Sequence, residues 1–168
     1  MAKTSYAVAL GSNRRHGRHG APARVIAAAV GALAEVAEVV ALSTIRATPA
    51  MGPAGRGFAN TAALLASDLD PPELLAGLKR IERSFGRRPG RRWGPRVLDL
   101  DIILWSEGPW EGAGLIVPHP AYRERAFVLD PLAEIAAAWR DPLTGTTVRQ
   151  LLHRLRARRA VDPAPRPS

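Results

Sequence analysis

The apolar positions of the chain change period several times, and each change marks an element. Tyr6 to Leu10 alternates as a strand does and stops at Gly11-Ser12-Asn13, a turn signal. A polar, Gly-rich loop follows from Arg14 to Gly20. Ala23 to Val36 places Val25, Ile26, Val30 and Leu33 at helical spacing, which predicts the first helix. Val39 to Ile45 is β-branched and apolar and predicts a second strand. Ala47 to Gly57 holds Pro49, Gly52, Pro53, Gly55 and Gly57 and predicts a loop. Phe58 to Ala66 is short enough to be read as a strand. Asp68, Pro71 and Pro72 then open a helix, Pro72 to Ser84, with Leu74, Leu75, Leu78 and Ile81 on one face. Phe85 to Gly94 is an Arg/Gly/Pro loop. Val97 to Trp105 predicts a strand, and Leu115 to Val117 a short one ended by Pro118. Phe127 to Trp139 has helical spacing, with a break expected early, at Pro131. Thr147 to Arg159 predicts an amphipathic helix. Residues 161–168, with three prolines, have the composition of a disordered tail.

The order strand, helix, strand, strand, helix, strand is that of an α+β, ferredoxin-like βαββαβ sandwich, an antiparallel sheet with helices on one face and a C-terminal helical extension. No internal repeat or linker divides it, so one domain is expected over residues 1–160. The 168 residues suffice for a sizeable core.

Composition narrows the chemistry. Without cysteine there is no disulfide, no thiolate metal site and no cysteine nucleophile. No signal-peptide segment opens the chain, and no apolar run reaches the ~18–20 residues of a membrane span, so a cytoplasmic protein without a membrane partner is expected. The net charge of +9 asks for a polyanionic partner, whether nucleic acid, membrane surface or phosphorylated small molecule. Eight basic residues fall between Lys79 and Arg96 against one acid, Glu82.

The sharpest pattern is Asp99-Leu100-Asp101 inside the apolar strand. Strand side chains alternate, so Leu98, Leu100 and Ile102 face the core while Asp99 and Asp101 share the other face. Two carboxylates that close repel unless a cation lies between them or one keeps a proton. Mg²⁺ takes carboxylate oxygen together with substrate phosphates. Arg92-Trp93-Gly94-Pro95-Arg96 runs directly into this strand, and basic groups beside a carboxylate-held metal suit phosphoryl transfer. A solvated face that happens to carry two acids is the plainer alternative.

The run Arg92 to Ile103, Arg-Trp-Gly-Pro-Arg-Val-Leu-Asp-Leu-Asp-Ile-Ile, closely resembles the signature of the 6-hydroxymethyl-7,8-dihydropterin pyrophosphokinases. Val8-Ala-Leu-Gly-Ser-Asn13, Thr48-Pro49, Phe58-Ala-Asn60, Arg80-Ile-Glu82, Val117-Pro-His119 and Arg125-Ala-Phe127 extend the resemblance to about Ala136. It implies pyrophosphate transfer from ATP to a hydroxymethyl-dihydropterin, with release of AMP, in folate synthesis. It further implies two Mg²⁺ ions held by Asp99 and Asp101, and Arg87 and Arg96 acting on the triphosphate. Trp93 matches the mobile loop that closes over ATP. Lys79, Glu82, Ile102 and His119 match nucleotide contacts. Phe58 and Phe127 match two rings that sandwich the pterin, and Asn60 the amide that pairs with its edge. Thr48, Pro49, Met51 and Arg125 match the rest of that pocket. A monomer acting on small molecules, without nucleic acid, is expected. Read singly, Phe58 and Phe127 are equally what a core uses. An RNA-binding module or an assembly domain with the same βαββαβ plan is the alternative.

Overall fold

A computed structural model describes residues 2–13, 20–48, 57–86 and 97–161. Its centre is the strand β1 (Thr4–Ser12), one residue type alternating with another as the sequence predicts but longer at both ends. β1 pairs along its full length with β4 (Phe58–Ser67) and, on its other side, with β5 (Asp99–Trp105). β2 (Glu38–Leu42) lies outside β4, and the sheet order is β2-β4-β1-β5, antiparallel throughout. The short β3 (Arg46–Thr48) also pairs with β4. Its last two residues lie in what the sequence predicts as loop from Ala47 onward, because three residues cannot display a period. The remainder of that loop, the loop through residues 87–96 and the tail from 162 lie outside the described residues.

Alternation gives the sheet two apolar faces. Tyr6, Val8 and Leu10 of β1, with Ala59, Ala63 and Leu65 of β4 and Leu100 and Ile102 of β5, form the first core. It is covered by α1 (Pro22–Ala32), through Val25, Ile26 and Ala29, and by α2 (Pro71–Gly86), through Leu74, Leu78, Ile81 and Phe85. α1 stops at Ala32, four residues before the predicted end, and Leu33–Glu35 tighten into a 3-10 turn. α2 starts at a reciprocal cap: the Asp70 carboxylate accepts from the Glu73 amide (2.9 Å), and the Glu73 carboxylate from the Asp70 amide (3.2 Å).

The second face carries Ala7 and Ala62, with Ile103 and Leu104 side by side because β5 has one extra residue there opposite Ala7/Val8. The C-terminal extension covers it: α3 (Ala126–Ala136) lies on β4 and β1, and α4 (Val148–Val161) packs on α3 through Val148, Leu151, Leu152 and Leu155. The expected break at Pro131 does not occur. Pro131 deprives only the Phe127 carbonyl, in the exposed first turn, of a donor, and with Val128, Leu129 and Leu132 buried the helix continues past it to Ala136. A hairpin of β6 (Trp110–Gly112) and β7 (Leu115–Val117) follows β5; β7 is where the sequence predicts it, and β6 was not foreseen.

α3 and α4 cover only part of the second face. Beyond them lie the ends of β1, β4 and β5, where Gly11 and Asn60 are half-buried and Asp99 is exposed, with Phe58 about half exposed at 49% and Phe127, in the first turn of α3, at 52%.

Candidate functional site

Strand register assembles the site. Asp99 stands opposite Gly11, Gly11 opposite Asn60, and Asn60 opposite Arg46, so these four residues form one row across β5, β1, β4 and β3. Asp101, Ala9 and Ala62 form the next row. The acids are two residues apart on one strand and so sit roughly 6–7 Å apart along it. Their face is the second one, as the alternation predicts, and Leu98, Leu100 and Ile102 are buried in the first core. Asp99 is exposed and Asp101 half-buried. The strand begins at Asp99, two residues later than predicted.

β5 is an edge strand of the sheet, and its amide between the two acids is held from outside. The buried carboxylate of Glu82, on α2, accepts from the Leu100 amide (3.2 Å) and pairs with Lys79 (3.2 Å). Glu82 therefore fixes the stretch of strand that carries the acids, while Lys79 stays partly exposed beside it. Ile102 is 2% exposed, so what this position offers a nucleotide is main chain only.

His119, in the segment after β7, comes within the field of Asp101. Its amide donates to the Ile103 carbonyl (3.0 Å), and its Nδ1 accepts from the Ala121 amide (3.1 Å). Nδ1 is thus unprotonated, and a neutral ring carries its proton on Nε2. Burial depresses the His119 pKa below its ordinary 6.5; Asp101 opposes this and Arg125 reinforces it. The structure so places His119 within the fields of both Asp101 and Arg125. The folded state favours the neutral ring. Its contribution to stability is fully present above about pH 6.5 and is lost as pH falls through the depressed value. Between pH 7.5 and 5, wild-type protein is expected to lose more thermal stability than His119→Gln, a difference that parallel melting curves would show and that equal losses would refute.

Phe127 and Arg125 stand at the start of α3. Arg125, in the residue before the helix, lies over the Phe127 ring at 5.6 Å. The preceding turn is anchored by Tyr122 and Arg123, which both donate to one oxygen of the buried Asp141 (2.6 Å each). Phe58 and Asn60 share a sheet face with the acids, and both phenylalanines are exposed, which rules out the reading of these two rings as core.

Two contributors escaped the sequence reading. One is Gly11, between Asp99 and Asn60. The other is Glu134, two turns along α3 from Phe127: its Oε1 accepts from the Thr44 amide (3.0 Å) and hydroxyl (2.5 Å), and its Oε2 faces Arg46 (3.5 Å). The Thr44 hydroxyl, then its amide, hold this carboxyl below the usual range. Glu134 ties the helix bearing Phe127 to the strand leading into Thr48, a tertiary clasp with no local signal. Glu134→Ala is expected to raise the acceptor KM roughly threefold or more with the ATP KM unmoved, and Glu134→Gln to recover part of it; equal shifts in both KM values would show mere loosening of the fold.

Of the other predicted site residues, Pro49, Met51, Arg87, Trp93 and Arg96 lie outside the described residues, and Thr48 is described by its main chain alone, in β3. Among the described residues no group of three or more His, Cys, Asp or Glu could hold a metal, so Asp99 and Asp101 offer two protein ligands and no closed cage. That donor set fits a hard cation that keeps water and takes phosphate oxygens.

Comparison with known proteins decides the family. The model of the family described as "7,8-dihydro-6-hydroxymethylpterin-pyrophosphokinase (HPPK)" matches residues 7–137. The chain belongs to this family. It is 43% identical over 130 residues to the 2-amino-4-hydroxy-6-hydroxymethyldihydropteridine pyrophosphokinase of Synechocystis sp., covering 74% of this chain and 67% of that one. It is 42% identical over 138 residues to the Pseudomonas aeruginosa protein of the same name, covering 80% and 82%. Among solved structures, an HPPK-DHPS chain of Plasmodium falciparum with pteroate superposes with a TM-score of 0.70 at 12% identity, over 96% of this chain and 44% of that one. An HPPK-DHPS in complex with substrates gives 0.72 at 10%, over 96% and 45%. The chain spans less than half of those longer proteins, and at such identities they confirm the fold. As a pyrophosphokinase of this family, the chain is an ATP-dependent diphosphotransferase that transfers pyrophosphate to hydroxymethyl-dihydropterin in folate biosynthesis. Nothing in the comparisons favours an RNA-binding module.

Proposed function

We propose that the open end of the second sheet face is where the transfer takes place, with the acids at one side of the floor and Asn60 at the other. The observation that carries this is the single row Asp99–Gly11–Asn60, which sets a carboxylate and an amide on one sheet face with only Gly11 between them in the strand register. Asn60 presents a donor and an acceptor in one plane, matched to the edge of a flat polar heterocycle. Phe58 and Phe127 supply aromatic faces to hold the ring, and Arg125, steadied over Phe127, stands at the rim. Thr48, Pro49 and Met51 complete the pocket.

On the nucleotide side, Asp99 and Asp101 hold Mg²⁺, two ions in this reading. When bound, the metal neutralises the triphosphate and favours ionisation of the attacking hydroxyl. Glu82 keeps the acid-bearing strand in register, so the carboxylates need not reorganise as substrate arrives. Lys79 lies along the nucleotide, His119 donates from Nε2 as a neutral ring, and Ile102 contributes main chain. Arg87 and Arg96 carry charge to the transferring group, and Trp93 closes over ATP. Catalysis is by positioning and electrostatics: the acceptor hydroxymethyl oxygen bonds to the β-phosphorus, the α–β bridge to AMP breaks, and the hydroxyl proton leaves to solvent.

The protein works as a cytoplasmic monomer of one domain over residues 1–160, without a nucleic-acid partner; among the described residues no helix is long and apolar enough to cross a membrane. Thermal shift separates this reading from binding of RNA. Mg²⁺ with a non-hydrolysable ATP analogue is expected to raise the melting temperature, and single-stranded RNA to leave it unchanged. The reverse pattern would refute it.

A further inference from the structure

Asp141 is fully buried, yet the turn it opens uses only one of its oxygens. Oδ1 accepts from the Leu143 and Thr144 amides (2.9 and 3.3 Å), as an Asp does in an ordinary surface turn. Oδ2 is aimed elsewhere. It accepts from the Tyr122 hydroxyl and from Nε of Arg123, both at 2.6 Å, 19 and 18 residues back along the chain. Tyr122 and Arg123 belong to a single 3-10 turn, Tyr122–Glu124, in the middle of the segment from His119 to Phe127. Locally that turn has long bonds only: the Tyr122 amide to the His119 carbonyl (3.4 Å), the Glu124 amide to the Ala121 carbonyl (3.2 Å) and the Arg125 amide to the Tyr122 carbonyl (3.2 Å). The bond geometry of such turns is poor, and charge-assisted bonds are roughly twice as strong as neutral ones. The middle of the segment is therefore fixed chiefly by Asp141. Its ends carry ligand groups: His119, tied to the Ile103 carbonyl, at one, and Arg125 over the Phe127 ring at the other.

We infer that Asp141 is a positioning residue for the transfer, which through Tyr122 and Arg123 sets the spacing between His119 on the nucleotide side and Arg125 with Phe127 on the acceptor side. The inference rests on the site proposed above. Asp141 is wholly buried and touches neither ligand, so it acts on both only through the segment it holds.

The test is steady-state kinetics of the full chain with Mg²⁺, ATP and 6-hydroxymethyl-7,8-dihydropterin, well below each variant's melting temperature. Asp141→Asn keeps an acceptor for the turn and can still bond Tyr122, whose hydroxyl also accepts, but it sets a second donor against Nε–H of Arg123. Its KM values for ATP and for the pterin are both expected to rise roughly fivefold, about 1 kcal/mol each. Arg123→Met removes the opposing donor, so Asp141→Asn/Arg123→Met should recover part of both KM values. A role in the fold alone would lower the melting temperature and the active fraction, and so kcat, with both KM values unmoved. That result, a rise in one KM only, or a double variant no better than Asp141→Asn would overturn the inference. Should Asp141→Asn fail to fold, Tyr122→Phe and Arg123→Met, each lacking one of the two bonds, are measured in its place. Both KM values raised in each supports the role, and unmoved KM values in either overturn it. Wild-type protein without pterin-dependent AMP release refutes the site and the inference with it, whereas an active wild type with variants of unchanged KM refutes only the role of Asp141.

Discussion

Asp99→Ala and Asp101→Ala are each expected to lower kcat about 10²–10³-fold at saturating Mg²⁺, because a carboxylate-held cation contributes several kcal/mol to charge stabilisation in the transition state and each decade of rate is about 1.4 kcal/mol. The fold should survive. Asp99 is exposed, Asp101 is half-buried, and neither belongs to either core. Their strand is kept by its pairing with β1 and by the Glu82 carboxylate on the Leu100 amide, none of which involves the aspartate side chains. Melting curves without ligand should therefore stay close to wild type while the Mg²⁺-dependent stabilisation by ATP analogue disappears. Asp101→Ala should also shift His119, since Asp101 is the group that opposes the depression of its pKa. Near-normal turnover in both variants would remove the carboxylate pair from the mechanism.

Asn60→Leu is expected to weaken pterin binding tenfold or more while ATP-analogue affinity holds. Leucine keeps the branching and heavy-atom count of asparagine, and residue 60 is half-buried near the end of β4, where its larger methyls can be accommodated. The pterin edge loses both a donor and an acceptor, at ~1–3 kcal/mol for each polar group left unpaired, where about 1.4 kcal/mol is one decade. The Phe58 and Phe127 rings give a contrast. Both are about half exposed, so truncation to Ala should cost far less than the ~3–5 kcal/mol of a core phenylalanine and fall instead on the acceptor. Separate titrations of the two ligands check all three positions.

Much of this could be read along the chain because it is local. The period-two alternation of Tyr6 to Leu10 and of Leu98 to Ile102 names both the core and the opposite face, and so places Asp99 and Asp101 correctly. The run from Pro71 to Gly86 displays its buried stripe openly, although its cap is Asp70 and not Asp68. What lies hidden depends on partners distant in sequence. β3 exists only because Arg46–Thr48 meets β4. Pro131 is tolerated because its helix is buried on both sides of it, through Val128, Leu129 and Leu132. The row Asp99–Gly11–Asn60 is set by two strand registers, and the Glu134 clasp joins residues 88 and 90 positions apart. Gly11 reads as the end of a strand in the sequence, yet the strand continues through it to Ser12.

The most direct measurement is product analysis of wild-type protein with Mg²⁺, ATP and 6-hydroxymethyl-7,8-dihydropterin. AMP should appear in equal amount with a pterin that carries two phosphates, and neither should form when the pterin is omitted. ADP with a singly phosphorylated pterin, or no pterin-dependent nucleotide product, would contradict pyrophosphate transfer at this site.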